Sequence, residues 1–166
     1  MVPVTITRAL VDVAAGAALG AAATVPMSAL MLGAQRAGLM GTQPPRRITD
    51  EAIDAVDAGT SGSDVDPAEP TRRALTALTH VGFGAVAGVP FALLHRALPA
   101  RAPSEAVGAA YALGVWASAY LGWVPALGIM PRADEDRRDR PTVMVLAHLV
   151  YGGVLGWSLR RLRPRG

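Results

Sequence analysis

The sequence predicts an all-α membrane protein, a four-helix transmembrane bundle built as one domain over residues 1–166. Hydrophobic residues make up 51% of the chain but aromatic residues only 5%, a composition that suits closely packed helices in lipid. Four apolar stretches have about the 20 residues that a helix needs to cross the hydrocarbon core. The second and fourth stretches also share a glycine-rich pattern, which suggests two tandem helical hairpins.

The four predicted spans cover residues 9–32, 74–94, 106–130 and 142–159. A proline followed by a hydroxyl residue precedes each of the last three spans, and this pair is typical of a helix start. The first stretch has an alternative interpretation as a cleavable signal peptide over residues 1–24, with Arg8 as its charged region. The apolar stretch continues to Leu32, and Asp12 interrupts it early, so we favour a transmembrane helix.

Residues 34–73 form the long extramembrane loop between the first two spans. Within it, Ile48, Ile53 and Val56 share one helical face, and acidic residues lie opposite. This pattern predicts a short amphipathic helix on the bilayer interface. Arg46 and Arg47 precede this face, and they are candidates for binding anionic lipid headgroups, with a solvated turn as the equal alternative.

An internal repeat relates the two halves of the chain. Residues 80–88 and 148–156 both read His, two residues, an aromatic and Gly, with Val and a second Gly following at the same intervals. The preceding spans also match, if one residue is inserted. Two parallel hairpins would then be related by a pseudo-two-fold axis along the membrane normal.

Small residues four apart predict close helix packing of the GxxxG kind, because they let backbones approach one another in lipid. The candidate helix-packing residues are Gly16, Gly20, Gly84, Gly88, Gly114, Ser118, Gly122, Gly152 and Gly156.

His80 and His148 are the strongest candidates for a function. Each lies six residues past the start of its span, so the two rings are expected at one depth, about 9 Å below the helix starts. An ionisable residue in lipid is costly and should face the bundle interior. The functional interpretations are a shared metal site, axial haem ligation or a proton relay. The favoured interpretation is structural, a hydrogen bond to a neighbouring helix through Thr24, Ser28 or Ser118.

A metal site would need further ligands, and the sequence offers no cysteine and no third histidine that we expect to be buried. No cofactor is therefore expected, although haem could use the two histidines alone. Asp12, the other intramembrane polar candidate, is expected to pair with Arg8 one turn earlier, with proton carriage as the alternative. The acids of residues 134–139 alternate with arginines, which predicts a solvated loop with local salt bridges.

No phosphate-binding loop, nucleophile elbow or His-Glu-x-x-His motif occurs, so we do not expect an enzyme. All 16 basic residues are arginine. Codon usage explains this bias, and no nucleic-acid motif accompanies it. The expected partners are the lipid bilayer and a second copy of the chain. We expect a multi-pass protein of the bacterial inner membrane with cytoplasmic termini, because the arginine-rich tail contains no acid.

Pro44-Pro45-Arg46, Ile48-Thr49 and the His-x-x-aromatic-Gly segments resemble the YagU-type small bacterial inner-membrane proteins. The resemblance implies a membrane bundle over nearly the whole chain and no assigned activity. Our leading interpretation is an integral membrane protein with a structural, assembly or small-solute role. The alternatives are a haem- or metal-binding protein for electron transfer through His80 and His148, and a small oligomeric transporter or proton-coupled channel.

Overall fold

The computed structural model describes residues 4–59, 67–99 and 101–162, and the regular secondary structure of that part of the chain is entirely helical. The elements are α1 (Val4–Arg36), α2 (Pro44–Gly59), α3 (Glu69–Ala97), α4 (Ser104–Ser118), a π-helix (Ala119–Trp123), α5 (Val124–Ala126) and α6 (Asp139–Leu162). Four segments are long and apolar enough to cross a membrane, namely Thr7–Arg36, Glu69–Ala97, Ser104–Ala126 and Asp139–Leu162. The chain is therefore a multi-pass helical bundle.

Glycine ends the first helix of each pair. Gly38, after α1, adopts a φ of 77°, and Gly128, after α5, adopts a φ of 73°. In both places the amide after the glycine donates to a carbonyl five residues earlier, which is the left-handed helix ending that glycine favours. The third span was predicted to continue to Met130. That limit is wrong, because the helix ends at Ala126 and the chain turns at Gly128.

Large apolar side chains cover the outside of the bundle. Val86 is 71% exposed, Leu127 is 70% exposed and Leu78 is 68% exposed. Exposure of many large apolar side chains is unfavourable in water. Lipid tails are a matched solvent for these side chains, provided that the backbone is hydrogen-bonded within helices.

Helices α1 and α3 pack through glycine. A Cβ added at Gly20 would overlap the carbonyl oxygen of Gly84, and a Cβ added at Gly88 would overlap the carbonyl oxygen of Gly16. The two backbones are therefore in direct contact, where dispersion and weak Cα–H···O bonds act over the shortest distance.

Helices α4 and α6 pack in the same manner. A Cβ at Gly152 would overlap the carbonyl of Gly108, and a Cβ at Gly156 would overlap the carbonyl of Ser104. Gly108 was not among the glycines predicted to pack.

The predicted packing residues of the third span are not at this contact. Gly114, Ser118 and Gly122 are exposed, and a Cβ at either glycine would have open space around it. Gly108 and Ala112 lie on the face of α4 that meets α6. Gly114 is two residues past Ala112, and two residues of an α-helix turn by about 200° around its axis. Gly114 therefore points away from α6.

Helix α2 is fixed to the start of α3 by polar contacts. The Thr49 and Thr79 hydroxyl oxygens are 3.0 Å apart. Arg46 donates from Nε to Asp50 and from its terminal nitrogens to Glu69, at distances from 2.9 to 3.1 Å. The amphipathic helix predicted around Ile48 therefore has a defined position against the bundle.

A buried ion pair joins the loop before α6 to the first turn of α6. Asp136 and Arg140 form a salt bridge in which the two side chains are 2% and 5% exposed, and the Tyr120 hydroxyl donates to the other oxygen of Asp136. The prediction that these acids lie in a solvated loop is wrong for Asp136. Burial raises the pKa of Asp136, but hydrogen bonds from Tyr120, the Arg137 amide and Arg140 outweigh burial and hold that pKa below its usual range.

Adjacent glycines in α6 test the backbone contact. We expect Gly152→Ala to lower the free energy of unfolding by about 1–3 kcal/mol, because its methyl group must displace the α4 backbone. Gly153→Ala is the matched control, since nothing lies within 4 Å of its Cβ position. It should leave stability unchanged or raise it by up to about 1 kcal/mol. Equal unfolding curves for the two variants in detergent would contradict the contact.

The buried ion pair makes a separate prediction. Asp136→Asn should destabilise the protein by about 3 kcal/mol, because it leaves the Arg140 charge buried and unpaired. Asp134→Asn is the control, because Asp134 and Arg132 are about 75% exposed at 3.5 Å and such pairs contribute about 0–1 kcal/mol. Since the folded pKa of Asp136 is depressed, its contribution is present above an unfolded pKa of about 3.9. Unfolding measured against pH should show this contribution disappear as the pH falls through the folded pKa, in the wild type only.

Candidate functional site

A cavity of about 250 Å³ lies between α3 and the rod formed by α4 and the π-helix. Helix α3 packs mainly on α1, α4 packs mainly on α6, and α1 joins the two pairs through α6. The facing sides of α3 and α4 are therefore the least covered. The lining comes from the halves of the four spans nearest the long loop, from the start of α2 and from Met130 in the loop before α6. It consists of Thr24, Met27, Met31, Pro44, Pro45, Ile48, Thr79, His80, Phe83, Gly84, Ala87, Val115, Trp116, Ala119, Tyr120, Trp123, Val124, Met130, Met144, His148 and Tyr151.

The cavity reaches the outer surface of the bundle. Phe83 is 49% exposed and Trp123 is 40% exposed, and both residues also line the cavity. They belong to the two helices on either side of the gap. The mouth therefore faces the apolar medium that surrounds the spans.

The π-helix forms part of the cavity wall. Gly122 departs from helical geometry, with φ of −112° and ψ of −106°. Three positions later Pro125 has no amide hydrogen, and its ring would crowd the carbonyl one turn earlier, at Leu121. A π-turn relieves this clash and changes the direction of the side chains before it. As a result, Ala119, Tyr120 and Trp123 all line the cavity.

The two candidate histidines line the same cavity. His80 Nδ1 lies 3.2 Å from the Ser28 hydroxyl oxygen on α1. His148 Nδ1 lies 2.8 Å from the carbonyl oxygen of Met144 in its own helix. A carbonyl only accepts, so Nδ1 of His148 carries the proton and Nε2 of the neutral ring is an acceptor. Across the described residues neither Nε2 atom has a hydrogen-bond partner.

Trp116 is a site residue that the sequence analysis missed. Its indole nitrogen is buried without a hydrogen-bond partner in the described structure, and its ring stacks on Tyr120 at 5.6 Å between centroids. Trp116 lies in the middle of an apolar span, where sequence alone does not distinguish an inward indole from a lipid-facing one.

Two tyrosines join helices beside the cavity. The Tyr151 hydroxyl donates to the Gly84 carbonyl at 2.7 Å, and the Tyr111 hydroxyl donates to the Ala87 carbonyl at 2.6 Å. Both acceptors are on α3, so these bonds fix α6 and α4 against it. The available sequence signal was a tyrosine in the centre of each of two apolar spans.

His95 is a third buried histidine, and the expectation that there would be none is wrong. It is 3% exposed, and its Nε2 lies 2.9 Å from the Ser104 hydroxyl oxygen. This pair joins α3 to α4 at the end of the bundle that holds the termini. His95 lies just past the predicted span, although its spacing of seven from Gly88 places it on the same buried face. Among the described residues, no group of three or more His, Cys, Asp or Glu side chains could hold a metal.

Asp12 pairs with a different helix from the one expected. Its carboxylate lies 2.9 Å from a terminal nitrogen of Arg96 on α3, so the predicted pairing with Arg8 is wrong. The second hairpin has an analogous pair between Glu105 and Arg160. Both pairs are partly exposed and lie far from the cavity, at the ends of α1, α3, α4 and α6 that carry the termini.

The two lipid-headgroup candidates have different environments. Arg46 has both sides of its guanidinium bonded to carboxylates, and Glu69 is held by Arg46 and by Arg73. Arg47 is exposed. Only Arg47 therefore presents its charge outward from α2.

The comparisons with known proteins place the chain in one family. No curated protein and no solved structure matches it. A family model described as a family of unknown function, DUF6789, matches residues 10–166, which include the cavity lining, the last three spans and all but the first three residues of the first span. The chain therefore belongs to the DUF6789 family.

Proposed function

We propose that this membrane protein binds an apolar small molecule in the cavity between α3 and α4. The observation that carries the proposal is an apolar cavity of about 250 Å³ that reaches the outer surface of the bundle at Phe83 and Trp123.

The size and wall of the cavity support the same proposal. An apolar protein cavity of about 150 Å³ is large enough to bind benzene, so about 250 Å³ has room for a fused two-ring compound. This role is a specific form of small-solute handling.

Haem ligation by His80 and His148 is a second candidate, favoured because both rings line one cavity and neither Nε2 has a hydrogen-bond partner among the described residues. A histidine that donates from Nδ1 commonly ligates iron through Nε2. A porphyrin is much larger than two fused rings, so α3 and α4 would have to separate to admit it. A Soret band from the purified protein would favour haem over the apolar ligand. Oligomeric transport and a proton-coupled channel stay predictions.

We also propose that the α1–α3 and α4–α6 hairpins are an internal repeat with a pseudo-two-fold axis. The glycine endings at Gly38 and Gly128, the two glycine contacts and the two acid–arginine pairs support it. A YagU-type kinship, an inner-membrane location and cytoplasmic termini are proposed with it. Tags placed at both termini and probed in intact and opened cells would test the orientation.

Filling the cavity should abolish ligand binding. We expect Val115→Phe to weaken the binding of naphthalene by at least about tenfold, because the larger ring occupies the cavity wall. Val86→Phe is the matched control, since Val86 is 71% exposed on the outer surface. Naphthalene would be measured by equilibrium dialysis against protein in nanodiscs, with empty nanodiscs subtracted. Equal binding by both variants would rule out the cavity as the site.

A further inference from the structure

An open groove between α1 and α3 lies at the end of the bundle that holds the termini. Its volume is about 280 Å³, and its lining consists of Thr7, Arg8, Val11, Asp12 and Arg96. Arg8 is the second residue of the first membrane-capable segment, and Arg96 is the last but one of the second. The groove therefore lies where these spans leave the hydrocarbon core, at the depth of the lipid headgroups.

Positive charge is in excess inside the groove. Arg96 donates to the Asp12 carboxylate at 2.9 Å, and its side chain is still 44% exposed. Arg8 lies one helical turn before Asp12 on α1, on the same face. Arg8 is exposed and has no hydrogen bond or ion pair in the described structure. Two guanidinium groups therefore share one carboxylate, and one positive charge is left over.

The whole end of the bundle has the same excess. Among the residues that the structure describes, five arginines and two acids lie there, namely Arg8, Arg96, Arg101, Arg160, Arg161, Asp12 and Glu105. The connections between the spans on the opposite side, residues 34–73 and 131–140, contain nine arginines and eleven acids. The end with the termini therefore attracts anions, and the end with the long loop does not.

We propose that this groove binds an anionic phospholipid of the surrounding leaflet. The lipid phosphate accepts charge-assisted hydrogen bonds from Arg8 and Arg96, and basic pockets between membrane helices bind anionic headgroups in this manner. The acyl chains lie along α1, where Leu10 and Val11 are each 61% exposed. The site is independent of the cavity between α3 and α4, and it lies at the opposite end of the bundle from Arg47.

A lipid titration tests the site. The full chain in a nonionic detergent would be titrated with phosphatidylglycerol and with phosphatidylcholine, and bound lipid would be counted by native mass spectrometry. We expect phosphatidylglycerol to bind at least about fivefold more tightly, which is the usual effect of one arginine near an anionic headgroup. Inorganic phosphate at the same concentration should not displace it, because inorganic phosphate has no acyl chain to contact α1.

Three variants locate the binding. Arg8→Gln should weaken the binding of phosphatidylglycerol about fivefold. Asp12→Asn should instead tighten it by a similar factor, because it removes a repulsive charge and releases Arg96. A gain of affinity cannot come from a folding defect. Arg47→Gln is the matched control, since Arg47 is an exposed arginine of α2, and it should leave the affinity unchanged.

Four outcomes would overturn the proposal. The first is equal affinity of the wild-type protein for the two lipids, and the second is weaker binding by Asp12→Asn. The third is an equal loss in Arg8→Gln and Arg47→Gln, which would show attraction to charge anywhere on the protein. The fourth is displacement by inorganic phosphate, which would make the ligand a free phosphate. None of these outcomes bears on ligand binding in the apolar cavity.

Discussion

Direct backbone contact between glycines is the constraint on which the rest of this structure depends. Gly20 meets Gly84 in one helix pair, and Gly108 meets Gly152 in the other. Lipid provides little hydrophobic drive between helices, so close dispersion contact must hold each pair together. Because the glycines commit α3 to α1 and α4 to α6, the sides of α3 and α4 that face each other are left apart. The cavity lies in the space that this pairing leaves open.

The sequence predicted the parts of the fold that depend on local pattern. Apolar length identified four membrane-capable helices, and charge periodicity indicated a helix around Ile48, within α2. The sequence did not identify which face of a helix meets a neighbouring helix. Gly114 and Gly108 look alike in sequence, but only Gly108 contacts α6. The same limit explains Arg96 as the partner of Asp12, since a contact over 84 positions leaves no local trace.

The candidate site was accessible from sequence only in part. His80 and His148 are unusual in apolar spans, and composition alone draws attention to them. Trp116 differs, because tryptophan is common in membrane helices and its position in the sequence does not show that its indole nitrogen is buried without an acceptor in the described structure. The π-helix was also missed. Pro125 indicates that the helix is interrupted. Tertiary packing decides whether the helix kinks, ends or takes in one extra residue as a π-turn.

The length of α1 has a consequence for the response of the protein to its surroundings. At about 1.5 Å per residue, its 33 residues form a rod of about 50 Å, against a hydrocarbon thickness of about 30 Å. The excess must project into the headgroups or be absorbed by tilt. Helix α1 packs on both α3 and α6, so the bundle must tilt together with α1. Membrane thickness therefore acts on the tilt of the whole bundle.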